Sequence, residues 1–147
     1  MLLTPLTMKA LQVMYKHHQS QVDANNLPYC FHPYDIANEM HSEDEVVCAL
    51  LHEVIQQENF DVELLPQDWS SELRRALKTL KKEVDESYDT YIKRVADNDI
   101  ARKVKISDLR HNCARKRLTL RQEDDEELQR YQFYYNYLLE ADDAWLG

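Results

Sequence analysis

A single glycine stands in a chain of 147 residues. Tight hairpins and phosphate-cradling loops need glycine wherever the backbone must reach φ > 0. A chain this poor in glycine is excluded from Rossmann and P-loop designs and directed towards helices. Hydrophobic periodicity agrees, most clearly over Ser42 to Gln57, SEDEVVCALLHEVIQQ. Ser42 with Glu45 three residues on is a capping-box pattern that starts a helix. Val47, Leu50, Leu51 and Val54 then fall at i, i+3, i+4 and i+7, so the spacing predicts a helix to Gln57 with one face in a core. Into that apolar run is set the pair His52-Glu53, a nitrogen ligand beside an oxygen ligand. A buried charge without a partner is costly. These two residues must either pair with something elsewhere in the chain or hold a metal.

Length and composition bound the rest. A chain of 147 residues fits one domain, 1–147, with a single core that buries about two-thirds of the unfolded surface. No apolar run approaches the roughly 20 residues of a membrane span. The start, MLLTPLTMKALQ, lacks a basic region followed by an unbroken apolar one, so an unprocessed chain with no membrane partner is expected. Cys30, Cys48 and Cys113 are odd in number and far apart, which argues against a disulfide framework and for the reducing cytoplasm. Lys and Arg number 18 against 27 Asp and Glu, a formal charge of -9. The long-range field therefore repels nucleic acid, and an anionic ligand needs a local basic cluster.

Thr4-Pro5 caps and opens a first helix expected from Pro5 to about Ser20, with Leu11, Met14, Tyr15 and His18 on one stripe. QVDANNLPYCFHP breaks the period and reads as a loop ending at His32, and Pro33 restarts a short helix to about Met40. ENFDVELLPQ reads as a linker with at most a turn of helix. Leu73, Ala76, Leu77 and Leu80 mark a helix from about Gln67, and Tyr88, Tyr91, Ile92 and Val95 mark another with ADND as its exit. In IARKVKISDLRHN, the residues Ile100, Val104, Ser107, Asp108 and His111 share one face, so an acid and an imidazole ride on an apolar stripe. Glu123 to Trp145 closes the chain as a long helix with an acidic first turn. The expected architecture is all-α, a compact bundle of about six or seven helices.

A histidine at a helix entrance, a His-acid pair in a second helix and an acid in a third can converge in a bundle core, where metal sites are built from facing helices. Two nitrogen and two oxygen donors suit manganese, iron or zinc better than calcium. Each residue also has a plainer explanation: His52 as a hydrogen-bonded core residue, Asp108 as an ion-pair partner of Arg102 or Arg110. A zinc site borrowing Cys48, one turn before His52, is a further alternative.

The order His32 in PYCFHP, His52-Glu53 in ALLHEV and Asp108 in VKISDLRHN resembles the HD-domain phosphohydrolases. It resembles more narrowly the small single-domain relatives of the RelA/SpoT-type hydrolases, which remove the 3′-pyrophosphate from (p)ppGpp. His18 and Gln21 fall where that family has an AH-x-GQ segment, and PY-x-x-HP and YIKRV-ADND-IARKVKISDLRHN also match. The resemblance implies an HD-type bundle with His32, His52, Glu53 and Asp108 as metal ligands and manganese as the ion. It implies a nucleotide or alarmone as the small-molecule partner, contacted by Asn112, with Lys82 near the phosphates. For Lys81 and Lys82 a solvated turn is the other reading.

The departures are specific. The family's His-Asp is His52-Glu53 here, which moves the carboxylate out by roughly 1.5 Å. The Glu-Asp pair that positions and activates the water in the family is replaced by Gln56 and Gln57. An amide can hold a water but cannot accept its proton, so about 10²-fold of general-base assistance would be missing. Glu58, one step further along a helix, points elsewhere. Ala24, Asn25 and Asn26 stand where relatives have a basic residue and two glycines. Two functions are compatible with this pattern: a metal-dependent phosphohydrolase whose metal-activated water attacks a nucleotide pyrophosphate, and a degenerate HD-type module that binds metal or nucleotide without catalysis.

Overall fold

The computed structural model describes the backbone of residues 1–118 and 122–146 and the side chains of 1–118 and 125–144. These residues form seven α-helices: α1 Pro5–His18, α2 Phe31–Asn38, α3 Glu43–Leu51, α4 Ser71–Leu80, α5 Tyr88–Ala96, α6 Asp99–Leu118 and α7 Gln122–Leu146. Among the described residues there is no strand, only an isolated bridge between Val22 and Pro28.

The organising element is α3, and it is more central than an amphipathic reading allows. Val46, Val47, Cys48, Ala49 and Leu50 are all fully buried, so the helix has no solvent face over this run. Helices α1, α2, α4 and α6 pack around it. A helix apolar on every side can only sit inside the core. Helix α7 lies along α6 and α5 and seals the bundle with Leu138. The side chains of Glu123 and Trp145, the ends expected for this last helix, lie outside the described residues.

Local chemistry explains the helix starts. Thr4 and Thr7 form the reciprocal capping box, each Oγ1 accepting from the other's backbone N–H at 3.1 and 2.8 Å. At α3 the box is only half closed. Ser42 Oγ accepts from Glu45 N at 3.2 Å, but Glu45 turns back to His41 N at 3.1 Å, one residue before the cap. Ser70 and Ser87 cap α4 and α5 in the same manner. Ser70 places the start of α4 at Ser71, four residues after the Gln67 expected from periodicity, because a turn from Pro66 to Trp69 intervenes. ADND is a junction rather than an exit: Asp97 ends α5, and Asn98 Oδ1 accepts Ala101 N at 2.9 Å to open α6.

The helix ends correct the sequence reading more strongly. Helix α1 stops at His18, because the Gln21 side chain takes the His17 carbonyl at 3.2 Å and the His18 ring at 2.9 Å. Helix α2 begins at Phe31, one turn around His32 and Pro33, and stops at Asn38. The largest difference is at α3, which stops at Leu51 and not at Gln57, leaving His52 as its C-cap and a 3-10 turn over Val54–Gln56. No glycine or proline marks this end. His52 Nδ1 donates to Ala49 O at 2.6 Å, and Gln56 Nε2 donates to His52 O at 3.1 Å. Side chains that claim backbone partners in this way compete with the helical ladder.

Candidate metal centre

Ending α3 at Leu51 is what aims His52. Its Nδ1 is committed to Ala49 O, which leaves the lone pair of Nε2 pointing across the bundle. That nitrogen lies 3.4 Å from Asp108 Oδ1 on α6 and 3.6 Å from Glu53 Oε1. His32, from the first turn of α2, places its Nε2 2.9 Å from the same Asp108 oxygen. One ligand atom from each of His32, His52, Glu53 and Asp108 lies within 4.8 Å of the others. Three elements separated by up to 76 residues therefore deliver two imidazoles and two carboxylates to one point.

The electrostatics are those of a cation site. Burial would push the Asp108 carboxyl up, yet the charges of Lys105 and His52 and the hydrogen bond from His32 hold it well below the usual carboxylate range. Burial pulls the His32 ring down and prevails over its hydrogen bond to Asp108, so it stays a neutral donor. At His52 burial also lowers, but Asp108 and Glu53 outweigh it and draw a proton towards the ring. His52 Nε2 is nevertheless buried and without a hydrogen-bond partner among the described residues. A buried polar atom left unpaired costs about 1–3 kcal/mol. A divalent cation bound by this nitrogen and by the carboxylates would remove that cost, and the donor set fits one. Glu53 is the half-exposed member, 36% exposed at the side chain against 1% for Asp108, so solvent reaches the site from its side.

The remaining residues sort into two clefts and a scaffold. On one side of the cluster a cleft of about 130 Å³ is lined by Glu53, Gln56, Lys82, Tyr88, Tyr91 and Lys105. Lys82 is at its rim, with Nζ on Glu83 O at 3.2 Å. Its neighbour Lys81 is not a solvated turn residue, because its ammonium holds the Gln57 carbonyl at 3.0 Å and also the Phe60 carbonyl. Beyond Asp108 a second cleft of about 210 Å³ is lined by Asn112, Tyr29, Arg115, Lys116, Glu127 and Tyr131, with Ala24 and Asn25 at its edge. Asn112 Nδ2 donates to Asp108 Oδ1 at 3.2 Å, so this residue joins the ligand cluster to the second cleft. Arg115 stacks on the Tyr29 ring and pairs with Asp23.

The amides of the two glutamines are engaged by other groups. Gln57 Nε2 is 2.9 Å from His17 Nδ1 and also bonds Val54 O, while the Gln56 amide is spent on backbone groups. His18 is buried against Tyr29 and held by Gln21. His111, expected on the stripe with Asp108, turns instead to Glu39 at 3.2 Å. Arg102 and Arg110 also pair elsewhere, with Asp99 and Asp142 and with Glu39. Asp108's cationic partner is Lys105, at 2.8 Å, which the sequence reading missed. The signal was present as i, i+3 spacing in KISD. Burial lowers the Lys105 ammonium, but the charge of Asp108 overrides it and holds the group well above its ordinary value. Tyr88 and Tyr91 cover it with ring centroids 5.8 and 5.5 Å from Nζ. Cys48 is buried with its thiol pushed up by desolvation, and the metal-competent group contains no cysteine among the described residues.

No protein-family model matches the chain, and comparison with curated proteins yields no match. Among solved structures the fold is similar to one described as a metazoan ortholog of SpoT that hydrolyzes ppGpp and plays a role in starvation responses. The TM-score is 0.74 over 96% of this chain and 87% of that one, at 16% sequence identity. The compact all-α bundle of about six or seven helices expected from the sequence is the architecture observed, with seven α-helices among the described residues.

Proposed function

We propose that this chain is a metal-dependent phosphohydrolase that releases pyrophosphate from a guanosine alarmone of the (p)ppGpp type. The carrying observation is the buried, unpartnered Nε2 of His52 at the convergence of His32, Glu53 and Asp108. The similarity in fold to a protein described as hydrolyzing ppGpp supports the choice of substrate class.

In this reading His32, His52, Glu53 and Asp108 hold a divalent ion, manganese by resemblance. Such an ion supplies Lewis acidity, lowering the pKa of a water and polarising a phosphoryl oxygen. The protein's own groups do the rest. Lys105 fixes the Asp108 carboxylate in place from below, and Ala49 O fixes the His52 ring. Lys82 neutralises phosphate charge at the rim of one cleft, and Asn112 orients the nucleotide at the mouth of the other. Arg115 and Lys116 extend the basic lining where the chain's net charge of -9 demands a local counterweight.

Neither Gln56 nor Gln57 can serve as a general base. That observation favours a second reading, a module that binds metal and nucleotide without turnover. One experiment separates the two: purified protein with manganese is incubated with ppGpp and product is measured by chromatography. Metal-dependent pyrophosphate release that His52→Ala abolishes supports the hydrolase. Binding of ppGpp with no product over hours establishes the second reading, and no binding of metal or nucleotide sinks both.

A further inference from the structure

The position that carries a carboxylate in the resembling family is occupied here by a side chain with a different task. Gln56 Nε2 donates to Leu80 O at 2.7 Å and to His52 O at 3.1 Å, while its Oε1 accepts from Lys82 N at 3.2 Å. One amide thus ties the residue that presents the imidazole on α3 to two backbone groups at the end of α4. Only an amide can do so. Two carbonyls require two N–H donors, and the Lys82 amide requires an acceptor; a carboxylate has no donor and an apolar isostere has neither.

The tied turn is braced from more than one side. The last carbonyls of a helix have no partner in their own ladder. At α4, Leu80 O is shared by Gln56 and the Tyr91 hydroxyl, the latter at 2.6 Å. Arg94 takes Thr79 O at 2.9 Å and Lys81 O at 3.0 Å, and is itself steadied by Glu86. Gln56 holds this turn from the metal side and Arg94 from the other. His52 does not depend on Gln56 in the same degree, since its ring is locked by Ala49 O.

We propose that Gln56 is a positioning residue that sets Lys82 at the cleft beside the metal cluster, so that the glutamine is required by this structure and is not a lost base. What Lys82 binds rests on the function proposed above. A glutamate at this position would still accept from the Lys82 amide but would turn a carboxylate onto the Leu80 and His52 carbonyls, and that repulsion would displace the turn, giving no gain of hydrolysis.

The test uses the full chain with manganese and guanosine 5′-diphosphate as the probe. In the wild type the Lys82 amide should exchange slowly by NMR, and in Gln56→Leu it should exchange quickly. Gln56→Leu should weaken GDP binding about tenfold while leaving manganese affinity within about threefold, because a lost hydrogen-bond set on one side is not felt equally on the other. Lys82→Ala should weaken GDP similarly, and in that background Gln56→Leu should cost less than about twofold more, since both act through one group. Additive losses, unchanged GDP affinity in Gln56→Leu, or rapid exchange of the wild-type Lys82 amide would each overturn the proposal. So would a Gln56→Glu protein with unchanged melting temperature and increased hydrolysis. Should Gln56→Leu fail to fold, the wild-type amide and Gln56→Glu decide. If the wild type binds GDP but turns over no ppGpp, the phosphohydrolase reading fails and the clamp survives; if it binds no GDP, the clamp stands or falls on the Lys82 amide.

Discussion

Helix α6 carries two buried charges six residues apart, Arg102 and Asp108, each 1% exposed, and they are treated in opposite ways. Arg102 is saturated: Nε reaches Asp142, Nη1 reaches Ala96 O and Nη2 reaches Asp99, all at 2.8 Å. Its partners come from α5, α6 and α7, so it locks the outer layer of the bundle. Asp108 also has a cationic partner in Lys105, but of the imidazole nitrogens turned towards it His52 Nε2, 3.4 Å away, is left without a hydrogen bond among the described residues. A buried charge that uses its hydrogen-bonding capacity is structural, whereas one surrounded by convergent unsatisfied donors is prepared for a ligand.

That contrast can be broken at several points. The largest effect is expected at Arg102→Ala, which takes the Arg102 partner from Ala96 O and Asp142 and leaves Asp99 with Lys103 alone among the described residues, and should cost about 3 kcal/mol in urea unfolding. The manganese response of the variant should be intact; its loss would show that the two charges form one system. Lys105→Met should cost nearly as much without metal, about 3 kcal/mol, because Asp108 is left buried with fewer countercharges. With manganese the loss should shrink, and an equal loss in both conditions would remove the cation from Asp108.

Next in size is the metal itself. At about 100 times its dissociation constant, manganese should add about 2.7 kcal/mol to the wild type, read as a rise in melting temperature. His52→Ala should show no rise, and a rise of wild-type size would exclude His52 as a ligand. The smallest effect concerns a half-buried ion pair, Arg94 with Glu86, that belongs to neither charge. The Arg94 hydrogen bonds depress the Glu86 carboxyl, so its contribution is present above pH 4.5 and is lost as the pH falls below that value. Glu86→Gln should flatten this part of the stability profile by under about 1 kcal/mol while leaving the manganese response unchanged.

Much of the site was legible because the residues involved are anomalous where they stand. His52-Glu53 interrupts an apolar run, and Asp108 interrupts another, so each demanded a partner before any partner was known. Lys105 was readable in principle from its spacing to Asp108, but lysine three residues from an acid on a helix is ordinary, and only burial distinguishes it. The end of α3 was not legible at all. Periodicity continues through Val54, and nothing at Leu51 signals a stop. The helix ends where side chains, one of them also held by backbone groups 24 and 26 residues away, take the backbone's hydrogen bonds.

By itself, then, the sequence determined the all-α class, the helix starts set by Thr4 and Ser42, and the candidate donors, because caps and periodicity act within a few residues. Only the tertiary structure decided that α3 is buried on all sides, that Lys105 rather than an arginine neutralises Asp108, and that Gln56 braces the Lys82 turn. These depend on contacts between elements far apart in the chain, where burial changes the cost of each unpaired charge or amide.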